Sequence, residues 1–212
     1  MAVVYALIGD LVGSRRSGPR AAVQAALQVA LDAAAAVAPP VDRLEPTVGD
    51  EFQGTYADLG QATLASLLVR LGLLPGLDAR CGIGVGTREV FDAARTPMLQ
   101  DGPAWWSARA AIDTLARPGA RGRRTWFDRG NVEPSADPAV VNAFLLTRDA
   151  LVDRLNERSR RMLLRALTGA TQREIANAEQ ISESAVSQAF AKGVSAVRDA
   201  QQMLSPTRNS IP

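Results

Sequence analysis

Apolar and polar positions along this chain switch between two periods, and the switches mark its elements. The run Val3-Val4-Tyr5-Ala6-Leu7-Ile8 is short and continuously apolar, which predicts a buried strand ending at Asp10. After the loop Asp10 to Gly18, Pro19 is placed to open a helix. Val23, Leu27, Ala30, Leu31 and Ala34 then recur at helical spacing to about Val37, and Pro39-Pro40 ends the helix. Two short segments, Leu44 to Val48 and Phe52 to Tyr56, flank Gly49-Asp50 and predict a hairpin with Asp50 and Glu51 at its tip. A helix from about Leu59 to Leu71 and a strand from Asp78 to Val85 follow. Gly82 and Gly84 weaken that strand unless something packs close to it. The order β-α-β-β-α-β is the split βαβ arrangement of a ferredoxin-like α+β domain. In that arrangement the first and third strands are central, and the hairpin tip lies beside the end of the first strand. Asp10 and Asp50 then become neighbours.

Downstream, Asp101-Gly102-Pro103 leads a helix to about Ala116 with Trp105, Ala108, Ile112 and Leu115 as its buried stripe. Trp106, Arg109 and Asp113 fall on a neighbouring stripe; Trp106 is expected in the core, or else against a base. Thr125-Trp126-Phe127 reads as an edge strand within an arginine-rich stretch, Arg117 to Arg129. Asn131 to Asp137 reads as a linker and Pro138 to about Leu155 as a bridging helix. Three short helices follow: Ser159 to Leu167, one opened by the capping box Thr171-Gln172-Arg173-Glu174, and one capped by Ser182. The last turns Val186, Phe190, Val194 and Val197 inward, and the set describes a small all-α helix-turn-helix. The predicted division is a nucleotide-binding domain over 1–133, a linker helix over 134–156, a helix-turn-helix over 157–204 and a disordered tail over 205–212.

Composition narrows the chemistry. Among 212 residues, 47% are hydrophobic and 22% charged, ordinary for a soluble globular protein. Basic and acidic residues number 15 and 15 up to residue 148, then 9 and 7, so the small positive excess sits at the C-terminal end. Histidine is absent, which removes histidine general bases, Ser-His-Asp triads and histidine metal ligands together. A lone cysteine, Cys81, excludes a disulfide framework. The first strand is a poor signal peptide, and the alanine-rich helix is broken by Gln24, Gln28 and Asp32, so no membrane span is expected. The expected setting is cytoplasmic.

Two carboxylates at one sheet edge, Asp10 and Asp50, can hold Mg²⁺ together with the phosphates of a nucleotide. The loop Leu11, Val12, Gly13, Ser14 and Arg15 runs towards a helix N-terminus and offers backbone N–H groups to phosphate. The alternative is that both aspartates merely end strands, as Asp often does. Arg109 is placed either to meet phosphate or to pair with Asp113 one turn on. In the helical unit, Glu183, Ser184, Ser187 and Gln188 face outward near the start of the third helix, where base edges are read. Lys192 is placed to hold DNA phosphates, and Thr171 and Arg173 join the candidate DNA-binding surface. Gln180 and Glu179 replace the glycine and leucine usual at such a turn, which predicts a strained or rearranged turn.

Gly9-Asp10-Leu11-Val12-Gly13-Ser14, Val48-Gly49-Asp50-Glu51-Phe52, Arg80-Cys81-Gly82-Ile83-Gly84-Val85-Gly86 and Asp101-Gly102-Pro103-Ala104 resemble, in order and spacing, the motifs of class III nucleotide cyclases. That resemblance implies metal-ligand roles for Asp10 and Asp50. The pattern departs at Pro46, where cyclases carry an adenine-reading lysine. It departs again on the later helix: Arg109 matches a transition-state arginine only if Trp105 takes the asparagine position. The whole set, with Trp105-Trp106-Ser107-Ala108-Arg109, more closely resembles the SatD family, which pairs such a domain with a C-terminal helix-turn-helix. Gly169-Ala170-Thr171, Glu174-Ile175-Ala176 and Ile181 to Ser187 resemble sigma-factor region 4 and LuxR-type units. The implied protein is a homodimeric transcriptional regulator that binds DNA and, with Mg²⁺, a nucleotide such as ATP, GTP or a cyclic nucleotide. The alternatives are a nucleotidyl cyclase or nucleotide-polymerising synthase, and a DNA-binding dimer whose first domain takes no ligand.

Overall fold

A computed structural model describes residues 2–14, 17–120, 122–133 and 136–204. The chain runs β1 (Val3–Val12), α1 (Arg20–Val37), β2 (Asp42–Pro46), β3 (Glu51–Tyr56), α2 (Leu59–Leu73), β4 (Asp78–Thr87), β5 (Glu89–Asp92), β6 (Leu99–Asp101), α3 (Pro103–Ala116) and β7 (Thr125–Asp128). Helices α4 (Pro138–Arg154), α5 (Glu157–Leu167), α6 (Gln172–Glu179), α7 (Glu183–Ala189) and α8 (Ser195–Met203) complete it, with a π-type turn, Phe190–Val194, between the last two. The main sheet has the order β2-β3-β1-β4-β7; β5 and β6 form a separate two-stranded ribbon. β1 pairs antiparallel with both β3 and β4, as a ferredoxin-like order requires, and β7 adds a parallel edge strand beside β4.

Alternation along β1 assigns its two faces. Leu7 and Leu11 point into a core shared with α1 and α2, while Val4, Ala6 and Ile8 pack against Trp105, Ala108 and Ile112 of α3. The buried residues of α1 are Val23, Leu27, Ala30, Leu31 and Ala34, the set its spacing predicts; Pro19 is the N-cap rather than the first helical residue. The glycines of β4 have a packing reason. A Cβ at Gly84 would lie 2.1 Å from the backbone nitrogen of Ala108, and one at Gly82 2.4 Å from the Ala108 carbonyl oxygen. Glycine there lets α3 lie directly on the strand, a closeness no side chain permits.

The helical unit is not set apart as the sequence predicts. One continuous apolar cluster runs from Leu7 through Leu67 and Leu145 to Val194 and Val197, so the C-terminal helices share the core of the sheet domain. A buried polar cross-link reinforces the seam. Arg148 of α4, 2% exposed, donates to the Thr63 carbonyl oxygen at 2.9 Å, to Thr125 Oγ1 at 2.7 Å and to Gln201 Oε1 of α8 at 3.2 Å. It also pairs with Asp149 at 3.0 Å, and Gln201 returns a bond to Thr63 Oγ1 at 2.9 Å. Buried charges of this kind tolerate few alternative arrangements, because any other geometry strands a charge away from water. The expected tail over 205–212 lies outside the described residues.

Candidate functional site

Sheet register, not loop chemistry, assembles the acidic edge. On β1, Asp10 follows Ile8 on the α3 side; it stands opposite Glu51 of β3 and opposite Arg80 of β4. Arg80 Nε and Nη2 donate to Asp10 Oδ1 and Oδ2 at 3.0 and 2.6 Å, a two-pronged pair that takes both carboxylate oxygens. The bond to Asp10 raises the Arg80 pKa most; burial opposes it, and the charges of Asp10 and Asp50 add to it. Asp50, at the hairpin tip, accepts the Ser14 hydroxyl at 2.5 Å, and its carbonyl oxygen accepts the Leu11 N–H at 3.2 Å. Gln24 of α1 donates to the Gly49 carbonyl oxygen at 2.6 Å and fixes the tip. The fold thus brings Asp10, Asp50 and Ser14 to one corner, around an arginine that sequence reasoning did not nominate. Its signals were its place on β4 and at the head of the motif Arg80 to Gly86, and the β1–β4 register identifies Asp10 as its partner.

The other phosphate candidates divide. The Leu11 amide is already bonded to Asp50 and its side chain is buried; Val12 ends β1, and Gly13 is exposed. Ser14 is 2% exposed with its hydroxyl committed to Asp50. Arg15 lies outside the described residues. Arg109 reaches across to Glu51 at 3.2 Å rather than to Asp113. Half-exposed at both ends, that pair adds little stability and leaves the guanidinium free to exchange partners. Trp106 is 62% exposed, not in the core, and its indole N–H donates to Asp101 at 2.8 Å. In the arginine-rich stretch, Arg124 is tied to Asp78, Arg129 to Glu133, and Arg123 stacks on Trp126.

As these side chains stand, they do not fit a divalent cation between Asp10 and Asp50. The guanidinium of Arg80 occupies both Asp10 oxygens, and no group of three metal-ligating side chains converges among the described residues. An open concavity of about 500 Å³, lined by Trp126, Arg129, Pro138, Ala139 and Leu146, lies between β7 and α4, not at the Asp10 corner. There Asn142 accepts from and donates to the Phe127 backbone at 2.8 and 2.9 Å, closing part of the edge of β7.

In the helical unit the predicted capping box is present: Glu174 N donates to Thr171 Oγ1 while the Glu174 carboxylate accepts from Thr171 N at 2.7 Å. The hydroxyl of Thr171 is therefore engaged in the cap. The turn into α7 passes through Gln180 at φ 54 and ψ 48, a left-handed conformation that glycine adopts without strain. Glu179, where an apolar residue is usual, is folded under Arg161 at 2.7 Å and Arg165 at 3.5 Å. The Arg161 bond, opposed by burial, together with the charge of both arginines holds its carboxyl below the usual range. Ser182 caps α7 by accepting from Ala185 N at 3.2 Å. Val186 is buried, whereas Glu183, Ser184, Ser187, Gln188 and Lys192 are exposed, as is Arg173 at the start of α6. None of these six has a side-chain partner among the described residues, in contrast to Glu174, Glu179 and Arg198 of the same unit.

The SatD family model matches residues 4–196. No curated protein matches the sequence. Solved structures give 24 matching chains. Two of them, described as structures of a bacterial light-regulated adenylyl cyclase, are each 13% identical to this chain, cover 59% of it and have a TM-score of 0.46. The match spans 42% of the first cyclase chain, less than half its length, and 75% of the second.

Proposed function

The chain belongs to the SatD family, and from that premise we propose that it is a DNA-binding regulator: α7 enters the major groove, and the Asp10–Arg80 corner takes a phosphate-bearing nucleotide. The observation that carries the DNA reading is the outer surface of α7, which is polar, exposed and without internal partners. A helix that only dimerised would present apolar residues there, since burial of apolar area is what drives such packing. Over 157–204, 7 basic residues stand against 5 acidic ones, an excess of only two, so one copy has a shallow electrostatic hold on phosphate and a homodimer on two half-sites is the form that binds.

The nucleotide reading rests on Arg80 and Arg109, two guanidiniums whose partners are the carboxylates of Asp10 and Glu51 at one corner. An arriving phosphate competes with those carboxylates in the same two-pronged geometry. Because the present side chains do not fit Mg²⁺, no step of this reading depends on a metal.

The test is fluorescence anisotropy with random-sequence duplex DNA across a salt series. The wild-type chain is expected to bind with a negative log–log slope, and Lys192→Ala and Arg173→Ala each to flatten it by about one unit. Absence of binding at low salt would sink the DNA reading. Calorimetry with ATP, GTP and cyclic nucleotides, with Arg80→Ala as control, tests the other half. Steady pyrophosphate release from ATP or GTP at catalytic protein concentration would instead favour a cyclase or synthase.

A further inference from the structure

The outward surface of α7 carries a glutamate, two serines and a glutamine, and no arginine or lysine. Two of the unit's unpartnered cations lie on either side of it in the chain: Arg173 at the start of α6, Lys192 beyond the end of α7. Major-groove chemistry makes that arrangement selective. Guanine is read by Arg or Lys on O6 and N7, adenine by Asn or Gln on N6 and N7, and cytosine by Glu or Asp accepting from N4. A carboxylate facing phosphate is repelled, so Glu183 is tolerable at a DNA interface only where an amino group meets it.

We propose that α7 reads adenine with Gln188 and cytosine with Glu183, leaving Arg173 and Lys192 to hold phosphates. This rests on the DNA reading above and adds its base preference. Both readers are exposed and unpaired, whereas Glu174 is held by Thr171 and Glu179 by Arg161 and Arg165. The five steps from Glu183 to Gln188 advance about 7.5 Å along a helix, close to two base steps of roughly 3.4 Å. The cytosine and adenine contacts therefore fall about two base pairs apart in each half-site. Ser184 and Ser187 lie between them and accept either base.

In vitro selection from a random 20-base-pair duplex library, using the full chain, tests this. Wild type is expected to enrich a half-site with an adenine and a cytosine about two base pairs apart. Gln188→Arg is expected to convert the adenine position alone to guanine, with the preference reversed by roughly tenfold or more in competition titration. Gln188→Ala is expected to lose discrimination at that position and keep it at the other. A half-site unchanged by Gln188→Arg, or one dominated by guanine in wild type, overturns the assignment while leaving DNA binding in place. No enrichment by wild type overturns the assignment, and the anisotropy titration with random-sequence duplex then shows separately whether DNA is bound at all. All these positions are exposed, and circular dichroism of each variant confirms that the comparison is between folded proteins.

Discussion

Arg80 lies directly across the sheet from Asp10 and grips both of its carboxylate oxygens, at 3.0 and 2.6 Å. Each side chain is about a quarter exposed, so the pair is neither a screened surface contact nor a fully desolvated one. Its consequence is that the acidic corner is neutralised from within. Arg80→Gln is expected to destabilise the fold by roughly 1–3 kcal/mol in urea unfolding, since Asp10 loses its partner. The same variant is expected to bind Mg²⁺ or Mn²⁺ more tightly than wild type in calorimetric titration. Equal affinity in the two proteins would show that Asp10 takes no part in holding a cation.

The turn between α6 and α7 holds Gln180 at φ 54, the single described non-glycine residue in the left-handed region. Gln180→Gly is expected to stabilise the protein by about 0.5–1 kcal/mol, the left-handed strain relieved less the added entropy of the unfolded chain. Gly193, at φ 134 where α7 passes into α8, is expected to behave in the opposite way. Gly193→Ala forces a side chain into a conformation open to glycine and should lower stability by about 1–3 kcal/mol. Chemical denaturation of the two variants side by side checks both signs.

Arg148 makes its bonds to α2, β7 and α8 from a nearly water-free position. Arg148→Ala strands Asp149 and is expected to cost about 3–5 kcal/mol. Because the apolar cluster is continuous from Leu7 to Val197, calorimetric melting of the wild type is expected to show one transition, not two. Two resolved transitions would mean that the helical unit folds independently of the sheet.

Asp78 and Glu179 contribute to the response to acid. Burial alone would raise the Asp78 pKa, but hydrogen bonds and charge from Arg70 and Arg124 outweigh it and leave the value depressed. The Glu179 value is depressed by the Arg161 bond and the adjacent Arg165. A carboxylate whose folded pKa lies below its unfolded value contributes stability above the ordinary value, near 4, and loses it as pH falls through the depressed one. Stability from these two groups should therefore be level above about pH 5 and fall below about pH 4. Asp78→Asn should be less stable at neutral pH and show a shallower acid decline, measured by urea midpoints across pH.

Local patterning settled a good deal. Helical spacing in α1 picked out its five buried residues, the capping box placed the start of α6, and the two strands around Gly49-Asp50 formed the expected hairpin. Trp106 and Arg109 show where it stopped. Both lie on the right helix, yet what each touches, Asp101 and Glu51, depends on the ribbon and strand beside that helix.

By itself, then, the sequence determined β1 to β4, β7 and α1 to α7, because period, caps and glycine or proline punctuation act over a few residues of chain; it did not foresee the β5–β6 ribbon or the break at Gly193 that separates α8 from α7. Only the tertiary structure decided that Arg80, 70 residues from Asp10, closes its carboxylate. The same holds for Gln201, 53 residues from Arg148, which ties the helical unit to the sheet domain. Those contacts follow from strand register and from a shared core, and neither is a property of any one segment: each exists only when distant faces, matched in shape and polarity, are brought together out of water.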